Sequence, residues 1–405
     1  MRRGIRALAL AIAHAIAAVT LAAPAGAASP AGADAPRGGS FAPTWSLRAV
    51  LRSVDVKTAP DVEVLTVEQL FFPLTVAVPI GERFDCVLTT GAGRSTLDFG
   101  GEDDLSGAAD TKIKGTARFL EDRLLLSAGI GLPTGKTKLS VEETRVARVI
   151  SQTLLGFHTR NLGEGVDLDV GATVARALGE AGSCAIGVGY LRKGEYTLFD
   201  DVEDDYAPGD EFTVSGGIDY AGEQVFLRAD ATFRAFGEDR LGDEAAFEQG
   251  DRVEFDQLLV ASWPLSRLTL RAREAIASDN VVADPAFPAS TVTTEGPGHV
   301  WLEVEVDRAF DVGGDAARGG AERLVIAGTV SYARFGESNV ELGDGHLAGF
   351  GGSIRYAISS SVSARLSAQK ITGEGRIGDA SPALDVTGHS VSLGIVVGPG
   401  RGGER

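Results

Sequence analysis

The sequence predicts an all-β protein, an antiparallel transmembrane up-and-down β-barrel of about 16 strands with one short helix in its longest extracellular loop. Apolar and polar residues alternate along most predicted segments, as from Ile113 to Phe119, and a period of two is that of a strand. Beyond the N-terminus, no apolar run approaches the roughly 18 residues that a transmembrane helix needs. Short turns alternate with long polar loops, which is typical of bacterial outer-membrane barrels.

The N-terminal residues predict export. Arg2, Arg3 and Arg6 precede an alanine-rich apolar run, and small residues up to Ala27 form a signal-peptidase pattern. A membrane anchor is the alternative, but the run is short for one. The predicted organisation is a signal peptide at residues 1–27, a disordered segment at 28–44, a barrel at 45–398 and a tail at 399–405. The predicted location is the outer membrane.

Composition narrows the class of function. The net charge of -18 excludes a basic nucleic-acid binder. Cys86 and Cys184 fall on predicted strands that are far apart in order, so they are expected to be unpaired thiols. The expected partners are outer-membrane lipid, lipopolysaccharide, the barrel-assembly machinery and a small-molecule solute; no nucleic acid and no cofactor is expected.

The strands follow in order along the chain. Predicted strands one to three cover residues 45–56, a segment that ends at 78, and 84–97, and an acidic loop at 98–104 leads into a hairpin that turns at 120–123. The other predicted tight turns are at 79–82, 178–182, 220–223, 263–266 and 358–361, with a longer glycine-rich one at 311–320. The predicted long connections are at 200–210, 238–251, 278–297, 338–345 and 372–381.

The even number of predicted strands places both barrel ends on the side of the short turns, which is expected to be periplasmic. A soluble β-sandwich is the alternative. Its core would have to form between the inner faces of two sheets, and faces rich in Arg, Asp and Glu cannot supply an apolar core.

The loop that follows Pro133 contains the one predicted helix. Ser140 and Glu143 form a capping box, apolar residues then recur at helical spacing, and Gly156 can end the helix. Such an amphipathic helix could fold inward as a gate or lie over the barrel rim. The candidate gate residues are Val146, Val149, Ile150 and Leu154.

Charged residues share one face of several predicted strands. On the predicted pair at 267–275 and 300–308, three arginines face three carboxylates, which can form cross-strand ion pairs. Two interpretations remain open: a charge-separated pore lining, or a structural salt-bridge lattice. The residues predicted to line the lumen are Lys112, Lys114, Arg118, Asp167, Asp169, Arg228, Asp230, Arg234, Arg271, Arg273, Glu303, Glu305, Asp307, Arg355 and Arg365.

Neither a metal site nor an enzyme is predicted. The acidic loop at 200–211 has seven carboxylates but lacks the order of a dedicated Ca²⁺ loop, so a solvated loop is favoured over a Ca²⁺ or lipopolysaccharide site. The four histidines after residue 100 are scattered, without metal-binding spacing. His389 and Ser390 could suggest an esterase, but neighbours in a strand point to opposite faces.

Three segments resemble the outer-membrane family associated with the meta-cleavage pathway of phenol degradation. They are residues 78–85 (VPIGERFD), 129–135 (GIGLPTG, preceded by 110–119) and 161–169 (NLGEGVDLD). The resemblance covers about residues 76–192 and implies a barrel that passes aromatic or other poorly soluble compounds. We therefore expect an outer-membrane channel for small molecules, including hydrophobic or aromatic ones. The alternative is a non-transporting structural or surface-binding barrel with a plugged lumen.

Overall fold

Sixteen antiparallel strands close into one barrel in the computed structural model, which describes residues 43–57, 64–198, 204–284, 287–296, 298–311, 323–337, 342–359, 361–376 and 382–398. The strands follow one another around the wall, and the last pairs antiparallel with the first, as at Arg52 and Ser390. The predicted fold class and strand number are thereby confirmed. The predicted signal peptide, nearly all of segment 28–44 and the tail at 399–405 lie outside the described residues.

The barrel strands are joined so that every long connection lies on the same rim of the barrel. They are β1 (Thr44–Lys57), β2 (Leu65–Ile80), β3 (Phe84–Asp98), β4 (Glu102–Phe119), β5 (Leu124–Leu132), β6 (Asp167–Leu178), β7 (Gly182–Arg192), β9 (Glu211–Ala221), β10 (Val225–Phe236), β13 (Arg252–Ser262), β14 (Ser266–Ala277), β17 (His299–Asp311), β18 (Arg323–Phe335), β19 (Gly343–Ala357), β20 (Val362–Arg376) and β21 (Leu384–Val397). We call this rim the loop end and the opposite rim, which holds both chain ends of the barrel, the turn end.

The long connections are more ordered than the sequence predicts. They contain α1 (Val141–Ile150), β8 (Tyr206–Ala207), β11 (Glu238–Leu241), β12 (Glu244–Glu248), β15 (Asn280–Asp284) and β16 (Phe287–Thr294). Three of the long connections form a separate five-stranded sheet in the order β16-β15-β12-β11-β8. The predicted acidic loop at 98–104 is also too long, because Glu102 already begins β4 and its register partner is Asp98.

The two faces of the barrel wall differ in chemistry. Outward positions carry large apolar side chains that stay exposed, for example Val170, Ile186, Phe350 and Leu393. An apolar belt of this extent on a single chain marks contact with lipid. Among the described residues, no helix combines the length and the apolar character needed to cross a membrane.

The hydrophobic core lies inside the barrel at the loop end. Inward side chains of β1–β4 and β18–β21 pack there against α1 and the segment that follows it. The cluster consists of Val54, Val56, Val67, Leu97, Leu105, Val146, Ile150, Leu154, Leu155, Phe157, Leu162, Ala333, Phe335, Leu342, Leu347, Ile371, Leu384 and Val386. A barrel of this size would otherwise leave such side chains in water.

A β-bulge divides β4 into two halves. Thr89 pairs with Lys112 and Gly91 with Ala109, so two residues of β4 oppose one residue of β3. Because of this extra residue, the inward side chains of β4 stand at odd-numbered positions before the bulge and at even-numbered positions after it. Leu105 therefore points into the core above the bulge, and Lys114 points inward below it.

Candidate functional site

One side of the lumen is lined by ion pairs. We call the inward face of β9, β10, β13, β14 and β17 the charged wall. Arg273 Nε lies 2.6 Å from Asp256 Oδ1, and Arg234 Nη1 lies 3.0 Å from Glu211 Oε1. Further cross-strand pairs join Arg228 with Asp219, Arg267 with Asp307, and Arg271 with Glu303. Each pair joins neighbouring strands, so the charged wall is a lattice of alternating signs.

The remaining predicted lining residues lie on the inward face of other strands or farther along these ones. Lys114 Nζ on β4 lies 2.7 Å from Asp169 Oδ1 on β6, and Arg118 pairs with Asp85. Asp230 lies 2.9 Å from Arg228 Nε, and Glu305 Oε2 lies 3.5 Å from Arg365 Nη2. For Lys112, Asp167 and Arg355, the described residues provide no ion-pair partner.

Below the core, the lumen holds a cavity of about 650 Å³. Its lining comes from the inward faces of β1, β10, β13, β14 and β17–β20, about half of the wall, so the cavity lies inside the barrel. Six arginines and four carboxylates line it, which gives it an excess of two positive charges in a protein of net charge -18. The charged lining residues are Arg52, Arg160, Arg228, Arg252, Arg271, Arg273, Asp230, Glu254, Asp256 and Glu303.

The part of this cavity next to the hydrophobic core is apolar and aromatic. Leu154, Trp301, Phe335, Leu347 and Ile371 line it. The ring of His299 stacks on that of Phe335 with centroids 5.9 Å apart. The cavity therefore offers an apolar surface and charged groups to the same occupant, which is the usual composition of a site for small molecules.

The roof of the cavity is the chain between β5 and β6. We call residues 141–162 the inserted segment. Its helix α1 begins at the predicted capping box: the Ser140 hydroxyl accepts from Glu143 N, and the Glu143 carboxylate accepts from Ser140 N. The helix ends at Ile150, earlier than the predicted Gly156, because the Ser151 and Gln152 side chains donate to Arg148 O and satisfy the last turn.

The candidate gate residues all belong to the inserted segment. Val146 and Ile150 are fully buried, and Val149 packs against the same cluster at its edge. Leu154 lies beyond the end of the helix, yet it is 1% exposed. The apolar stripe thus enters the barrel mouth and packs on inward side chains of the wall.

Two inward polar residues that the sequence did not reveal hold the inserted segment. The Gln69 side chain accepts from His158 N at 2.8 Å and Thr159 N at 3.1 Å, and it donates to Thr159 O at 2.9 Å. Arg52 Nε donates to Leu155 O at 2.8 Å, and its guanidinium lies 5.9 Å from the centre of the Phe157 ring. Neither Gln69 nor Arg52 stands out in the sequence, because polar residues are ordinary at the inward positions of a barrel strand.

His158 is a titratable group of the inserted segment that contacts the wall. Its ring lies 5.3 Å from that of Phe71, and burial lowers the pKa of its imidazole. The positive charge of Arg48 lowers this pKa further. The docked segment therefore favours the neutral imidazole.

The acidic connection at 200–211 contributes to structure in its described part. Asp210 accepts from Lys193 N and from the Tyr190 hydroxyl, and Glu211 pairs with Arg234. Residues 199–203 lie outside the described part. Where the chain is described, no group of three or more His, Cys, Asp or Glu residues is arranged to hold a metal ion.

No protein-family model and no curated protein matches the chain. Among solved structures, the barrel is similar to a Pseudomonas aeruginosa FadL homologue (10% identity, covering 88% of this chain and 90% of that one, TM-score 0.45). It is also similar to Pseudomonas aeruginosa OpdL (14% identity, 88% and 98%, TM-score 0.42) and to the CymD monoaromatic hydrocarbon channel (11% identity, 88% of each, TM-score 0.39). These similarities concern the barrel fold alone.

Proposed function

We propose that the chain is an outer-membrane channel for small molecules and that its inserted segment gates the loop-end mouth. The observation that carries this proposal is the cavity of about 650 Å³ that lies inside a closed barrel directly beneath the inserted segment. Leu154 and Gly156 belong to the inserted segment and line the same cavity. Movement of this segment would therefore open the cavity to the loop end.

The solutes that we propose are small hydrophobic or aromatic compounds. The apolar side of the cavity, with Trp301 and Phe335, favours an aromatic occupant because stacked and edge-to-face ring pairs add to apolar burial. The resemblance to the phenol-degradation family points to the same class. Export by a signal peptide at residues 1–27, insertion by the barrel-assembly machinery and contact with lipopolysaccharide complete the proposal.

The gate is tested by deleting residues 141–155 and measuring single-channel conductance in planar bilayers, together with liposome swelling in sugars, amino acids and phenols. We expect conductance and phenol flux to rise while the amount of folded barrel stays unchanged. A matched control shortens the β11–β12 hairpin, which lies in the sheet formed by the loops. Unchanged flux in a folded deletion variant would exclude the gate.

A second candidate function is a non-transporting barrel with a plugged lumen. It is favoured by the complete burial of Val146 and Ile150 and by the polar contacts of Gln69 and Arg52 with the inserted segment. This function predicts no current from the intact barrel under any condition, whereas a gated channel should show openings. The conductance of the intact barrel therefore separates the two functions.

A further inference from the structure

Three inward arginines stand in one row across four adjacent strands. Arg48 on β1 is the register partner of Gly394 on β21, and Gly394 is also the partner of Arg365 on β20. Arg365 in turn is the partner of Arg355 on β19. Because neighbouring strands are about 4.8 Å apart, the row spans about 14 Å of the wall. We call these three residues the arginine row.

The glycine in the middle of the row leaves room for the Arg48 side chain. A Cβ atom at Gly394 would lie 2.6 Å from Arg48 Cγ, so the Arg48 side chain lies over the glycine. On the other side of Gly394, Arg365 Nη2 lies 3.2 Å from Ser353 Oγ of β19, the strand that carries Arg355. The register thus places the three arginines at neighbouring inward positions in one part of the wall.

The arginine row lacks the carboxylates that neutralise the charged wall. Only Arg365 has an ion-pair partner among the described residues, and Glu305 Oε2 is 3.5 Å away. Arg48 and Arg355 are exposed, and the described part of the chain offers neither of them a carboxylate or hydrogen-bond partner. Arg355 and Arg365 face each other directly, an arrangement of like charges that costs stability. The fold by itself does not explain this cost.

We propose that the arginine row is an anion-binding site, which takes the carboxylate or phosphate group of a solute inside the lumen. Guanidinium groups bind both anions through paired, charge-assisted hydrogen bonds. Three cations and one carboxylate leave an excess of two positive charges for the anion to neutralise. The proposal rests on the proposed channel, because the row faces its lumen. It adds a negatively charged group to the class of solute.

The test measures the local potential without requiring a current. Ser353→Cys is introduced into a barrel that carries Cys86→Ser and Cys184→Ser. Modification of the introduced thiol by an anionic and by a cationic methanethiosulfonate is followed, each rate being normalised to the rate of that reagent with a free thiol. We expect the anionic reagent to react about tenfold faster at low ionic strength, and this preference to fall to about twofold in high salt. Arg48→Gln with Arg355→Gln should remove most of it.

The control cysteine replaces Ser215, which lies on the inward face of β9 within the charged wall. There the anionic reagent should have no advantage, because Arg228 is paired with Asp219 and Asp230. Folding of every variant is checked by the heat-dependent gel shift of the barrel. The comparison of low and high salt uses the Ser353→Cys barrel with all three arginines in place, so it does not depend on the folding of an arginine variant. Equal rates of the two reagents in the Ser353→Cys barrel, or no reaction with either reagent, would overturn the proposal.

Binding itself is measured as protection of the thiol of the Ser353→Cys barrel from the anionic reagent. Benzoate and inorganic phosphate are compared with benzyl alcohol, which is neutral. Slower modification with benzoate alone identifies an organic carboxylate as the ligand, and slower modification with phosphate alone identifies a phosphate. If neither anion protects more than benzyl alcohol at equal ionic strength, the arginine row does not bind anions. A barrel that passes no current could still give protection, so failure of the proposed channel would be distinguishable.

Discussion

Gln69→Leu should release the inserted segment while leaving the barrel folded. The Gln69 side chain is 1% exposed and satisfies three backbone groups of His158 and Thr159. A leucine of similar volume would leave these groups unpaired in the docked state, and each buried unpaired group costs about 1–3 kcal/mol. Undocking returns all three groups to water, so we expect docking to weaken by at least about 3 kcal/mol, or at least about 100-fold.

Native-state hydrogen exchange measures this change directly. Protection of the amides of α1 should fall by about the same factor, whereas the amides of β13 and β14 should be unaffected. Gln369→Leu is the matched control, because Gln369 also faces the lumen but donates to Ser331 Oγ of the wall at 2.9 Å. Unchanged protection of α1 in a folded Gln69→Leu barrel would refute the role assigned to Gln69.

Three further predictions concern the faces of the wall, the charged wall and pH. Val304→Arg, on the outward face, should lower the free energy of unfolding by about 2–4 kcal/mol near the membrane midplane, whereas Thr232→Arg on the inward face should lower it much less. Both are measured by denaturant titration in lipid, and equal losses would mean that the two faces are wrongly assigned. Arg271→Ala should lower stability by no more than about 1 kcal/mol, because its pair with Glu303 is partly exposed to water. The docked state lowers the pKa of His158 below its ordinary value of 6.5, so docking is at full strength above that pH and weakens as the pH falls below it. Protection of α1 should therefore be lower at about pH 5.5 than at about pH 7.5, and His158→Gln should abolish the difference.

The barrel was predictable because its wall obeys a local rule. Period-two alternation from Ile113 to Phe119 assigns strand and face at once, and the length of each connection assigns its rim. The capping box at Ser140 was predictable for the same reason, since the two residues that form it are three apart. The location of the helix end was not, because the side chains of Ser151 and Gln152 satisfy the last turn before Gly156 is reached.

Contacts between distant parts of the chain could not be predicted. Gln69 and Thr159 are ninety positions apart, and neither residue type indicates which residue it will contact. The arginine row depends on the register of β1, β21, β20 and β19, which a single sequence does not specify. The loop strands were missed because a strand such as β11, with four residues, is too short to show a period.

The bulge in β4 has a consequence for how this chain tolerates change. The extra residue lies between Leu105 and Lys112, so the alternation of inward and outward side chains changes phase between the two halves of the strand. Loss of one residue at 110–111 would leave one residue opposite Thr90, and the regular ladder that results would keep Leu105, Lys112 and Lys114 on the inward face. Loss of one residue from β5, whose pairing with both neighbours is regular, would instead turn one part of that strand to the wrong face. The bulge is thus the position at which β4 can lose a residue and keep both of its faces.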